Sequence, residues 1–359
     1  MHLMRKIWLL IVMIVHEISG NTATDQSRVI YFFVFSFYVG PSYNQPIFSP
    51  TATWNPNATT FINSTVISQY PWGLFVDVNN TVYVLGKSSN RIFVWREGNM
   101  TLSRNIPGNL GTPFSIFVTL NGNIYVDNGR NHSRVDMWTS NSTTSVSVMN
   151  VTGECHGLFI DLHNNLYCCV NPYPQVLKRS FNNSYNITTI VAGNGTSGST
   201  FTLLRNPQGI FVDDTFNLYV ADCGNNRIQL FAPGQLNATT LATGNITLRC
   251  PTGLILDGNG YLFITDYYNN RIIGSGPNGF RCIAGCSCKN GSTADQLNFP
   301  RGLSFDSYGN IFVADGYNHR IQKFFLANNS FGKLRNKRVD HNCSLKFNKV
   351  MRNSAMPAD

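Results

Sequence analysis

Histidine and cysteine are the side chains of this sequence best equipped for acid–base, metal or nucleophilic chemistry. Of seven histidines, His2 and His16 sit near the start, His132, His163 and His319 fall in polar turn-like stretches, and His341 lies in a basic C-terminal end. Only His156 stands beside a glycine at the head of a strand-like apolar run. One histidine falls short of the three protein ligands of a catalytic zinc centre. Cys282, Cys286 and Cys288 lack a second pair at zinc-finger spacing. No G-x-S-x-G, H-E-x-x-H or G-x-x-x-x-G-K-[ST] pattern occurs, and AGNG at Ala192 is too weak for a phosphate loop. Calcium on oxygen ligands stays compatible with the sequence, and no other cofactor is expected. Nine cysteines fit disulfides in an oxidising compartment, and the odd count leaves one thiol free or paired to another chain.

Hydrophobic residues make up 43% of the 359, enough for a buried core, while charged residues make up only 13%, about half the usual share. Asparagine, with 44 residues, supplies the missing polarity. No apolar run reaches about 18 residues, so no stable membrane insertion is expected. The net charge of +9 raises nucleic acid as a partner. Yet Arg5, Lys6, Lys333, Arg335, Lys337, Arg338, Lys346, Lys349 and Arg352 carry that excess at the two ends, leaving the body near neutral. In residues 1–20, Arg5 and Lys6 precede nine apolar residues from Ile7 to Val15, the pattern of a secretory signal. A second apolar run, Val29 to Val39, keeps an uncleaved anchor as the alternative. N-x-S/T sequons number 15, against roughly 7 expected by chance from 44 Asn and 56 Ser plus Thr in 359 residues. Export with N-glycans is the expectation.

What would position any of these groups is a repeat. Six segments share one pattern, starting at Pro71 (PWGLFVDVNNTVYV), Pro113, Cys155, Pro207, Pro251 and Pro300. Their third residues, Gly73, Ser115, Gly157, Gly209, Gly253 and Gly302, are spaced by 42, 42, 52, 44 and 49. A period of this size that encodes strands points to propeller blades. The opening proline cannot donate to a ladder and suits the first residue of a strand. The glycine permits close backbone approach. The Asp that follows, as in DGNG at Asp257, caps the amides of a tight turn.

The strings ADCGNNRIQLF (Ala221 to Phe231), TDYYNNRI (Thr265 to Ile272) and ADGYNHRIQKF (Ala314 to Phe324) resemble the NHL repeat. The resemblance covers about residues 71 to 325 and implies an all-β, six-bladed propeller with four-stranded blades. Blades one to three depart from it, with Leu85-Gly86 for Ala-Asp, a stretched turn between Asp127 and Arg134, and Val170 and Val176 for the Asp and Arg. Pairing of Asp222 with Arg227, Asp266 with Arg271 and Asp315 with Arg320 is expected within each blade. Outer-strand segments begin at sequons Asn99, Asn141, Asn186 and Asn237, and an equivalent stretch begins at Asn57, before any complete blade. Residues 57–64 are therefore expected to close the ring as the outer strand of blade six, with the stretch from Asn328 as the rival. Glycans on these outer strands would hinder edge pairing. The blade geometry so implied brings Cys223 and Cys250 to one face as a disulfide. Cys155 with Cys168 is a second pairing, and Cys169 competes for it. The domain layout read from the sequence is a signal at 1–20, a lead segment at 21–50, a propeller at 51–327 and a basic tail at 328–359.

On this scaffold the residues before the repeat glycine, Trp72, Phe114, His156, Gln208, Thr252 and Arg301, are expected around the mouth of the central channel. The long Gly/Ser/Asn-rich crossovers, Ala192 to Pro207 and Ala284 to Pro300, should share that face. The expected function is that of a monomeric, extracellular, non-catalytic binding or scaffold propeller whose partner is a protein or glycan. One alternative is a metal enzyme like the peptidyl amidating lyase, whose resemblance implies zinc-binding histidines in the channel. Another is RNA or protein binding like the NHL propellers of tripartite-motif ligases, against which no RING-type Cys/His cross-brace is present.

Overall fold

A computed structural model describes residues 41–67, 69–99, 101–108, 110–182 and 187–330. The signal, the lead segment before residue 41, the tail beyond residue 330 and Asn186 lie outside the described residues. Six four-stranded antiparallel sheets follow one another as blades. The innermost strands are Pro71–Val76, Ile116–Val118, Glu154–Ile160, Pro207–Val212, Pro251–Leu256 and Pro300–Phe305. They are almost wholly buried, which explains their continuous apolar runs.

The turn after each inner strand shows why the repeat carries Asp. One carboxylate oxygen of Asp257 accepts the amides of Asn259 and Tyr261 at 2.9 and 2.8 Å. Asp77, Asp161, Asp213 and Asp306 do the same for their own turns. The fourth turn residue has positive φ throughout, at Asn80, Gly122, Asn164, Phe216, Gly260 and Gly309, so Gly or Asn is the usual choice.

At the ring's centre the repeat glycines Gly157, Gly209, Gly253 and Gly302 meet the backbone of the next blade. A Cβ on Gly209 would lie 2.2 Å from Thr252 O, and one on Gly253 would lie 2.5 Å from Arg301 O. Blade two carries Ser115 instead, and its hydroxyl turns the same approach into a 2.6 Å hydrogen bond to Cys155 O.

The ring closes through Thr59–Ile62, which pairs with Arg320–Phe324 as the fourth strand of blade six. Thr60 Oγ1 adds a 2.8 Å bond to Gln322. The rival segment pairs elsewhere, since Leu326–Asn328 joins Thr53–Trp54 in a separate two-stranded sheet. The last ten residues of the expected lead segment pack against the propeller. The Tyr43 ring sits against Phe159 and Phe211 at 5.5 and 5.3 Å, Asn44 donates to the carbonyls of Asp77 and Phe305, and Pro46 O accepts from Gly258. This crossing covers the end of the channel where the Asp turns lie. Beyond it, Trp54 is buried against Phe48 and Phe263 and donates to Gly309 O at 2.8 Å.

Trp54→Ala therefore removes a buried indole and a hydrogen bond that tie the returning N-terminal chain to blades five and six. A loss of about 3–5 kcal/mol is expected, read as a lower urea midpoint. A midpoint unchanged from that of the native chain would show that this anchor is dispensable.

Candidate functional site

The six residues before the repeat glycine all line one cavity of about 140 Å³ at the ring's centre. Pairing of the inner and second strands is irregular in five blades at this point, for example between Pro71 and Leu74. The irregularity lets both the mouth residue and the residue three further on, such as Trp72 and Phe75, line the channel. Phe75, Phe117, Phe159, Phe211 and Ile255 fill the deeper part, above Tyr43.

The mouth residues do not form an even ring. Trp72, Phe114 and His156 pack in sequence, Trp72 edge-to-face on Phe114 with centroids 4.4 Å apart and Phe114 stacked on His156 at 4.2 Å. Arg301 lies 3.5 Å from the Trp72 centroid and 4.7 Å from that of Tyr267, to whose hydroxyl it donates at 3.1 Å. Gln208 is buried and donates to Asn206. Thr252 is consumed by structure, its hydroxyl being bonded to Thr265 and to Pro300 O, so it offers nothing to a ligand.

Three contributors escaped the sequence reading. Lys87 places its ammonium 3.5 Å from the Trp72 centroid and 4.6 Å from that of Phe114. It occupies the position after Gly86, in register with Cys223 and Tyr267 after their motif Asp. The departure at Leu85-Gly86 marked the blade, but the lysine beside it was not weighed. Tyr267 is the second. Glu154, the third, accepts from Arg130 at 2.8 Å and from His156 Nε2 at 3.1 Å.

Burial lowers the His156 pKa despite Glu154, while the hydrogen bond from His156 lowers that of Glu154. The pair is a neutral imidazole donating from Nε2 to a carboxylate, which leaves Nδ1 to accept from Asn171. Burial, reinforced by Arg301, brings Lys87 down to about 8. Burial also lowers Arg301. Among the described residues no three His, Cys, Asp or Glu side chains gather as metal ligands. The zinc of the amidating-lyase resemblance finds one channel histidine, already held by Glu154, and does not fit.

The expected Asp–Arg pairs form in blades four to six, at 2.8, 2.9 and 2.7 Å. They also do more than balance charge. Asp222, Asp266 and Asp315 each accept a crossover amide at 2.7 Å, from Arg205, Arg249 and Asn298. Arg227 donates to Ser199, Thr200 and Leu203, and Arg320 to Ser292, Thr293 and Gln296. The two long crossovers are thus fastened beside the mouth. In blade two Arg134 pairs with Asp136 instead, and Asp127 accepts from Cys155 N and Phe114 N. Burial pushes Asp127 up to about 8. Disulfides join Cys155 to Cys168, Cys223 to Cys250 and Cys282 to Cys286, leaving Cys169 buried and Cys288 exposed as free thiols among the described residues.

Residues 204–231 and 297–324 match the family model of the NHL repeat, so the chain is a six-bladed propeller bearing NHL repeats. No curated protein matches it in sequence. Several solved structures share the fold. An auxiliary nutrient binding protein from Bacteroides thetaiotaomicron VPI-5482 aligns with TM-score 0.57 at 15% identity, over 80% of this chain and 76% of that one. Virginiamycin B lyase from Staphylococcus aureus aligns with TM-score 0.55 at 11% identity, over 77% and 99%. A chain of a nidogen/laminin complex aligns with TM-score 0.53 at 18% identity, over 69% and 86%. At these identities the likeness is one of fold.

Lys87 makes the electrostatics of the mouth measurable. Its pKa falls from 10.5 to about 8 on folding, so below pH 8 the folded protein carries the full cost of a half-buried charge. Between those values the folded state has released its proton and the unfolded state has not, so stability rises with pH. Lys87→Met is therefore expected to raise the melting temperature at pH 7 by about 2–4 °C, after discounting for exposure and the lost cation–π contacts. The gain should shrink between pH 8 and 10.5. A Met variant less stable at pH 7 would show that the ring contacts outweigh the burial.

Proposed function

We propose that this protein is a non-catalytic binding propeller of an extracellular compartment, which engages a protein partner through the channel mouth. The observation that carries the reading is the half-buried Trp72–Phe114–His156 cluster with Lys87 and Arg301 against it. Trp and Arg are the residue types that dominate binding hot spots. The fastened crossovers hold this surface rigid, which lowers the cost of ordering it on binding. The nutrient binding protein and the nidogen/laminin complex show that similar folds occur in binding proteins. The extracellular setting is supported by three disulfides. It is also supported by the sequons, because every described sequon asparagine, including Asn57, Asn99, Asn141 and Asn237, is exposed. No described helix is long and apolar enough to cross a membrane.

Two measurements test this reading. Protein made in eukaryotic cells should enter the medium and lose mass on peptide N-glycosidase treatment; retention in the cell without glycans would overturn the extracellular setting. Partners recovered from the native extracellular milieu should bind Trp72→Ala more weakly by at least about 1 kcal/mol. Unchanged affinity in the folded variant would move the site to the opposite face or the blade sides.

A further inference from the structure

The channel mouth holds more positive charge than the chain itself neutralises. Burial lowers the pKa of the Arg301 guanidinium, yet no carboxylate among the described residues pairs with it. Of its five N–H donors, Tyr267 Oη accepts from one, and the buried Nε has no acceptor. The indole N–H of Trp72, stacked beneath it, is likewise buried without a partner. Lys87 lies over the rings of Trp72 and Phe114, with no ion pair among the described residues. The acids at this end are already committed: Glu154 to Arg130 and His156, Asp222, Asp266 and Asp315 to their motif arginines, and Asp127 to the amides of Phe114 and Cys155. A buried cation without a counter-ion is costly, and a guanidinium with open donors is a fork matched to a carboxylate. Elsewhere in this propeller each buried motif arginine has its aspartate at 2.9 Å or less. Arg301 is the exception, and it stands at the channel mouth.

We infer that the mouth binds a carboxylate side chain, Asp or Glu, presented by the partner polypeptide, with Arg301 and Lys87 supplying the donors and Trp72 and Phe114 the apolar walls. This rests on the binding reading above and names the group recognised. The cavity, with space for roughly ten waters at ~10–15 Å³ each, suits one inserted side chain better than a folded domain or an oligosaccharide. Because the anion supplies the missing counter-charge, binding should stabilise the protonated lysine and weaken as pH rises past its titration. Arg301, Arg130, Glu154 and the neutral His156 are the charged or titratable groups facing that lysine.

The test uses the secreted, glycosylated full chain and two capped peptides, acetyl-Ala-Glu-Glu-Ala-amide and its glutamine counterpart, with inorganic phosphate as a third probe. Binding is followed by ligand-observed NMR and by thermal shift. The glutamate peptide should bind, and the glutamine peptide should bind about tenfold more weakly or not at all. Lys87→Gln and, separately, Arg301→Lys should each weaken the glutamate peptide while leaving the fold intact by circular dichroism. Equal affinity for the two peptides, lost in Phe114→Ala, would overturn the carboxylate while sparing the binding mouth. Saturation by phosphate without the glutamate peptide would assign the site to a free inorganic anion and overturn the inference. Absence of binding by both peptides and by phosphate would overturn it as well, whatever partner the mouth captures.

Discussion

Six inner strands must stand close enough around one axis for each backbone to touch the next, and everything else in this molecule follows from that approach. Blades three to six meet it by having no side chain at the point of contact, where a Cβ would fall within 3.0 Å of the next blade's backbone, and in blade one a Cβ on Gly73 would strike Leu85. Blade two carries Ser115 there, whose hydroxyl donates to Cys155 O of the next blade. Because the contact fixes the glycine, it also fixes the residue before it, and six such residues converge at the channel mouth whatever their identity. The mouth is therefore a place where sequence can vary chemically while geometry is held constant.

That dependence also explains which parts were legible in the sequence. The glycine spacing, the Asp of the tight turns and the Asp…Arg strings all express backbone requirements that recur in every blade, so repetition exposes them. The returning strand at residues 59–62 was legible because a motif with no blade of its own must belong to another. What could not be read was the crossing of the channel by residues 42–48. Tyr43 and Asn44 follow no repeat, and their partners at Phe211, Asp77 and Phe305 are scattered along the chain. Thr252 illustrates the opposite failure. Its position placed it in the mouth, but its hydroxyl bonds Thr265 and the Pro300 carbonyl of the next blade and is lost to the site.

The motif Asp and Arg deserve a different account from simple charge balance. Each aspartate is fully buried and each arginine mostly so, a cost that a bare ion pair would barely recover. The structure instead satisfies the arginine with up to three carbonyls of the preceding crossover, and the aspartate with a crossover amide. The pair is thus a rivet joining neighbouring blades on the mouth side. Long crossovers rich in Gly and Ser look mobile by composition, yet those before blades four and six are held at both ends of their turn by these groups. Blades one to three lack the rivet, and two of them use other devices: the Cys155–Cys168 disulfide in blade three and the Asp127 carboxylate, bonded across to Cys155 N, in blade two.

Arg301 gains its meaning from this contrast. A side chain of the same type, buried to a similar degree on the same face, carries its own aspartate when its task is structural. At the mouth the arginine has instead an indole, a phenol and an unfilled set of donors, with a second cation on the same indole. Blade one supplies that cation where it departs from the repeat: Gly86 stands where the motif would place Asp, and the next residue is lysine. The departure from the repeat and the excess of positive charge are consequently one event in the sequence. A fold that spends aspartate so regularly on its arginines, and withholds it at the channel, leaves the balancing carboxylate to come from outside.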